Sequence, residues 1–290
     1  MEKREDTRIN SIEIRNFILV GLMIVFFMFS IVLYGSYTRM DLKIWFWLIT
    51  IFTGTFIVSF YYIAGSIKCS IESIHKGSVS LIKSVLIIVG VLLYEQIQAN
   101  IWSLITHGED FKATEEVAKN IKLNIPFFYE SSVIVPILEE VMNRAVPFII
   151  CLWVILHLFK CFKKTTTVSD VYKISLVIYL ITSSVIFSSI HSHDNWGSFL
   201  IYTLSGLIWA IAYVWSKTLL VPIVIHMLNN AVSSLGIVYS NRINDDVSIS
   251  NTIIESIILL VLITCLIVFE KHFQRRYVNL VKMQYILKQL

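Results

Sequence analysis

SSVIVPILEEVMNRAVPFIICLWVILHLF, residues 131–159, is 29 residues long and reads as a membrane-spanning helix except at its centre. There Glu139, Glu140 and Arg144 fall within six residues, flanked by Pro136 and Pro147. A charged side chain at the middle of a bilayer helix costs about 2.5 to 3.5 kcal/mol on insertion scales, so three approach ~10 kcal/mol before any pairing. Intramembrane ionisable residues are therefore functional-site candidates by default. Glu140 and Arg144 stand at i, i+4, on one helix face and within ion-pair reach. Glu139 points about 100° away. One carboxylate has a partner in its own helix and its neighbour does not. Each proline removes a helix hydrogen bond, so the run is expected either to kink or to divide into two half-helices.

The rest of the chain supplies the setting. Of 290 residues, 56% are hydrophobic and 15% charged, with mean hydropathy +0.74. Soluble domains run at about 45–50% apolar and about 25% charged. That balance excludes an ordinary soluble enzyme, a disordered chain and a nucleic-acid binder. Apolar runs fall near 17–37, 44–65, 81–103, 131–159, 171–190, 197–215, 218–239 and 252–270. They are continuous, unlike the alternating ~10-residue segments of a membrane barrel. The expectation is an all-α, polytopic membrane helical bundle of about eight transmembrane helices. It forms a single integral membrane domain over residues 1–290, in a cell membrane. The first run lacks a small-residue cleavage site and is read as a retained span. With eight spans, one side collects 17 Lys and Arg and the other 6. That asymmetry places both termini in the cytoplasm. The tail from Lys271 to Leu290 is basic and amphipathic. Cys69, Cys151, Cys161 and Cys265 form no CxxC pair, so neither a disulfide framework nor a zinc knuckle is suggested.

Two further runs carry ionisable groups. Phe187 and His191 share a face at i, i+4, and so do His226 and Asn230. A lone histidine near a helix end is ordinarily an interfacial residue, and His157 is read that way. An Asn in a span commonly makes one interhelical hydrogen bond. Three spans carrying a carboxylate, a His and a His/Asn pair are harder to explain as packing, because facing helices can converge such groups on one cavity. Tyr94, Glu95, Gln96, Gln98 and Asn100 give the third run a polar character that suits either a cavity lining or a helix face packed in the bundle. Glu255 is read as interfacial. His193 and Asp194 extend His191 to H-x-H-D, a weak metal hint, and are read as a solvated connection.

These residues resemble the three motifs of the CPBP family, the CAAX-protease and bacteriocin-processing (Abi) family that includes the type II CAAX prenyl endopeptidases. The family pattern is E-E-x-x-x-R, then F-x-x-x-H, then H-x-x-x-N or H-x-x-x-D. Here Glu139-Glu140-Val-Met-Asn-Arg144, Phe187-Ser-Ser-Ile-His191 and His226-Met-Leu-Asn-Asn230 follow it in order. Gly206, Tyr213 and Ser216 resemble the family's small-residue and aromatic positions. The likeness covers about 130–235, the motif-bearing core. It implies an intramembrane endopeptidase acting on a membrane-associated peptide or a lipidated protein, with a role in bacteriocin or pheromone peptide processing or immunity.

Peptide hydrolysis needs an activated water, a stabilised oxyanion and a protonated leaving amine. No Ser or Cys stands in a recognisable nucleophile motif with these histidines, so a water mechanism is expected. Glu139 is expected as general base and His191 as the group that orients the same water. His226 and Asn230 are expected to donate to the oxyanion. Arg144 neutralises Glu140 and leaves Glu139 free. No cofactor is required in this scheme. The rival is a divalent metal such as zinc held by Glu139, His191 and His226, since two His and a carboxylate form a catalytic zinc set. Outside catalysis, a membrane immunity or scaffold protein that binds a peptide or a partner membrane protein is the alternative. A transporter is disfavoured because no repeated, Gly/Pro-broken halves are visible.

Overall fold

A computed structural model describes residues 21, 22, 25, 26, 28, 29, 32, 33, 36, 39–71, 81–106, 125–161, 168–191, 193, 195–239 and 249–287. The described chain is all helical. The helices are α1 (Leu42–Ile71), α2 (Leu81–Thr106), α3 (Ile125 to Cys161), α4 (Val168–Ser189), α5 (Trp196–Ser216), α6 (Leu220–Tyr239) and α7 (Ile249–Leu287). Among the described residues, five helices are long and apolar enough to cross a membrane: α1, α2, α4, α5 and α7. The apolar part of α6, Leu220–Leu235, is shorter, and α3 is interrupted. Most of the first apolar run lies outside the described residues, as do the 107–124 connection, Asp194 and the side chain of His157. The tail after Lys271 continues α7 as helix to Leu287.

α3 answers the question posed by its prolines. It neither breaks nor divides. Two π turns, Glu130–Ile134 and Val141–Ala145, alternate with α segments, and the residues at their boundaries keep right-handed helical angles. Each π turn ends two residues before a proline, Pro136 or Pro147. Proline has no N–H to give and its ring crowds the carbonyl one turn back. Widening the turn by one residue relieves the crowding and keeps the helix running. The carbonyls so freed must find donors elsewhere, because the bilayer offers none.

Three apolar clusters hold the bundle. Trp45, Ile49 and Phe56 of α1 pack on Ile134, Leu138, Val141 and Ala145 of α3. Phe148, Tyr179 and Ala210 join α3, α4 and α5. Ile87 and Val91 of α2 meet Phe187, Trp209, Ala212, Val221, Ile225 and Leu266. α4 buries Ser175, Ser183, Ser184 and Ser188, small residues that let backbones approach closely. Gly206 is where α5 approaches the α4 backbone closely. A Cβ there would stand 3.1 Å from the Cα and carbonyl oxygen of Ser184 and 3.2 Å from the Phe187 ring. α5 begins in an Asn195/Ser198 capping box and ends on Lys217 at φ 56°, which turns the chain sharply into α6. Around the rim, Ile253, Ile257, Leu260 and Val261 of α7 and Ile178, Ile181 and Val185 of α4 are exposed, the surface expected of helices in lipid.

Candidate active site

The unpaired carboxylate is the point on which the site converges. Glu139 Oε2 lies 4.0 Å from His191 Nε2 and 3.9 Å from His226 Nε2. Both separations exceed a hydrogen bond, and a single oxygen atom placed between carboxylate and imidazole would reach both. Glu139 and His191 keep 20% and 24% of their side chains exposed, whereas Glu140 and Arg144 have none and His226 has 3%. The site therefore has an open pair resting on a sealed layer.

Each histidine is oriented through its other nitrogen. His191 Nδ1 stands 2.7 Å from the Phe187 carbonyl, which can only accept, so Nδ1 carries the proton. In the neutral ring Nε2 then presents a lone pair toward Glu139. The ring lies between Phe187 and Tyr202, each with its centroid at 4.6 Å. His191 sits just past the end of α4, and burial holds its imidazole below the ordinary histidine range, opposed by the Phe187 carbonyl. His226 Nδ1 lies 3.0 Å from Glu140 Oε1, and its ring packs on Trp209 at 4.5 Å.

Beneath them, Glu140 serves two partners. Its Oε1 takes His226, and its Oε2 faces Arg144 Nε at 3.1 Å, off the N–H axis, so this second contact is ionic rather than a linear hydrogen bond. Arg144 lies over the rings of Phe187 at 4.7 Å and Trp209 at 5.8 Å, and its Nη1 donates to Ser183 Oγ at 2.9 Å. Arginine's planar, weakly hydrated head tolerates such burial better than lysine's.

The carbonyls released by the two prolines are taken up by the neighbouring site helices. Ser183 Oγ of α4 donates to the carbonyl of Asn143, four residues before Pro147. Asn230 Nδ2 of α6 donates at 2.8 Å to the carbonyl of Ser131, five residues before Pro136 and in π register with it. α3 is thus pinned on one side to α4 and on the other to α6, with Glu139 and Glu140 between the pins. Asn230 therefore stands one turn along α6 from His226 with one of its two amide hydrogens committed.

Two imidazoles and a carboxylate, each imidazole held through its far nitrogen, are a zinc-type donor set in chemistry. The spacing does not suit one. Ligand atoms on a tetrahedral zinc sit about 3.3 Å apart, and separations near 4 Å would open the ligand–metal–ligand angle to about 150°. Among the described residues no group of three His, Cys, Asp or Glu stands close enough to hold a metal ion. As placed, Glu139, His191 and His226 do not form a tetrahedral metal site.

Several neighbours were not legible in the sequence. Ser183, Tyr202 and Trp209 carry no signal in their own spacing. His193 lies in the connection between α4 and α5 but is half-buried rather than fully solvated. Its Nε2 stands 2.6 Å from the Ser188 carbonyl at the end of α4, and its ring packs on Phe199 and Tyr202. The polar set on α2 splits. Gln98 donates to the Ile201 carbonyl of α5, while Asn100 donates to Glu255 of α7, which is thereby a helix contact rather than a plain interfacial charge.

Comparison with known proteins places this arrangement in a class. Residues 121–232, which carry all three motifs, match the family model of the Rce1-like type II CAAX prenyl endopeptidases. The chain is also similar to the membrane-embedded CAAX protease MroQ of Staphylococcus aureus (strain USA300), with 32% identity over 141 residues. That stretch covers 48% of this chain and 51% of the relative, so the chain spans about half the length of the curated relative it matches. Together the two matches support a CPBP/CAAX-protease assignment for the motif-bearing part of the chain. No solved structure matches the chain.

Proposed function

We propose that the protein is an intramembrane endopeptidase that hydrolyses a peptide bond with a water activated by Glu139 and His191. The observation that carries this reading is the convergence of one carboxylate oxygen and two imidazole nitrogens, with each Nδ1 already engaged. A water between Glu139 and His191 gives a hydrogen bond to each acceptor and keeps its lone pairs for attack. As oxygen bonds to the scissile carbon, Glu139 takes the proton and the carbonyl oxygen becomes an oxyanion. His226, in its imidazolium form with Nδ1–H on Glu140, donates Nε2–H to that oxyanion. Asn230 contributes its second amide hydrogen. When the C–N bond breaks, Glu139 returns the proton to the leaving amine. One oxyanion donor is worth about 10²–10³ in rate. Asn230→Ala should therefore lose activity within that range, with His226 still in place. The spacing of Glu139, His191 and His226 favours this water mechanism over a metal one.

The substrate class inferred is a membrane-associated peptide or a lipidated protein, with a bacteriocin or pheromone peptide as the favoured case. The Lys/Arg asymmetry favours cytoplasmic termini, and reporter fusions at both ends and at residue 115 test it. A cytoplasmic signal at 115 overturns that orientation. For the activity, the test is cleavage of membrane-anchored peptides by purified, reconstituted protein, with Glu139→Ala as control. Cleavage that persists in Glu139→Ala would remove the carboxylate from the mechanism.

A further inference from the structure

α2 lies outside residues 121–232, yet it brings a third carboxylate to the site. Gln98 Nε2 donates to the Ile201 carbonyl at 3.0 Å, which sets the register of α2 against α5. Glu95 is on the same face of α2, one turn back. Ser205 and Trp209 follow Ile201 at successive turns of α5. That register sets Glu95 beside the Trp209 indole and the Ser205 hydroxyl, with Glu140 and Arg144 near enough to act on its charge. Glu95 Oε2 and Trp209 Nε1 are both sealed from solvent, and neither makes a well-aligned hydrogen bond, to the other or to any further group. One is an acceptor and the other a donor, side by side in a medium that offers no substitute.

Trp209 links Glu95 to His226 by direct packing. Its ring packs on His226 at 4.5 Å, on Phe187 at 5.1 Å and beneath the Arg144 guanidinium at 5.8 Å. An indole free to rotate about its side-chain torsions would release all three. A carboxylate inside a membrane bundle is costly to keep and is a functional-site candidate by default.

We infer that Glu95 is a positioning residue of the active site, fixing the Trp209 indole and through it the His226 ring. This rests on the endopeptidase reading for its kinetic consequence but not for its structural one. The experiment is a double-mutant cycle of Glu95→Leu and Trp209→Phe, with Glu95→Gln as the conservative variant that keeps an acceptor. Each single change should lower kcat about 10-fold with KM within about 2-fold, and the double should be no worse than either, since coupled residues are not additive. Glu95→Gln should restore most of the loss. The second readout is independent of turnover: the ¹⁵N signals of His226 in histidine-labelled protein, assigned with His226→Gln. They should move alike in Glu95→Leu and Trp209→Phe and stay near wild type in Glu95→Gln. Multiplicative losses, or His226 signals indifferent to Glu95→Leu, overturn the inference. If wild-type protein cleaves nothing while the His226 signals respond as expected, the protease reading fails and the positioning role stands.

Discussion

Two pairs of helices use intramembrane carboxylates in opposite ways. Between α3 and α6, Glu140 is sealed, bonded on one oxygen to His226 and paired on the other with Arg144. Between α2 and α7, Glu255 is part-buried and takes a single neutral donor, Asn100, which also accepts from Gln96. In the first case removing one partner leaves a charge with nowhere to go. In the second, the edge of the bundle offers an alternative. A polar residue in a span is therefore not a signal in itself. What separates a site from helix glue is how many partners vanish together when one is taken away.

That contrast can be broken most severely at Arg144. Arg144→Ala or Glu140→Ala strands a buried charge, at a cost of about 3–5 kcal/mol. The melting temperature in detergent should fall sharply in both variants, with activity lost. Glu139→Gln should do the reverse. General acid–base groups contribute about 10²–10⁴ in rate, so cleavage should fall by that factor while the melting temperature holds or rises. Should Glu139→Gln prove the least stable and Glu140→Ala silent, Arg144 pairs with Glu139 and the two carboxylates exchange roles. Gly206→Ala comes next. Its Cβ would press on Ser184 and Phe187, and overpacking of this kind costs about 1–3 kcal/mol. Because Phe187 carries the carbonyl that orients His191, kcat should drop with it. Asn100→Leu, at the other pair, should be the mildest. Interhelical hydrogen bonds in membranes average about 0.6 kcal/mol, so the melt should shift slightly and cleavage should be unchanged. An activity loss there would mean that the α2–α7 contact is coupled to the site.

Much of this was legible before any fold was known. Hydropathy gives an all-helical membrane bundle, since only helices or closed barrels satisfy their backbones in lipid. The i, i+4 spacing of Glu140 and Arg144 gives their pairing, because it is fixed within one helix. Partners from other helices were out of reach. That Ser183 and Asn230 would serve carbonyls on α3 depends on which faces meet, and on prolines being absorbed by π turns rather than by a break. Likewise Tyr202 and Trp209 are ordinary aromatic residues until packing sets one against His191 and the other against His226. The two-sided use of Glu140 was also hidden, since half of it lies on α6. His193 reads as loop in the sequence because nothing local reveals that it bonds back to Ser188.

The π turns bear on how the gene can vary. Each inserts one residue beyond an α turn, and each lies on one side of the pair Glu139–Glu140. Substitutions between them alter one side chain at a time. Loss of a single codon from either turn would return it to an α turn and set the following proline ring against the carbonyl one turn back. A deletion in the first would remove the widened turn that offers the Ser131 carbonyl to Asn230, and one in the second the turn that offers the Asn143 carbonyl to Ser183. For this helix, length is as much a part of the coding as identity, and reading-frame-preserving deletions at residues 130–134 or 141–145 should be purged where many point changes survive.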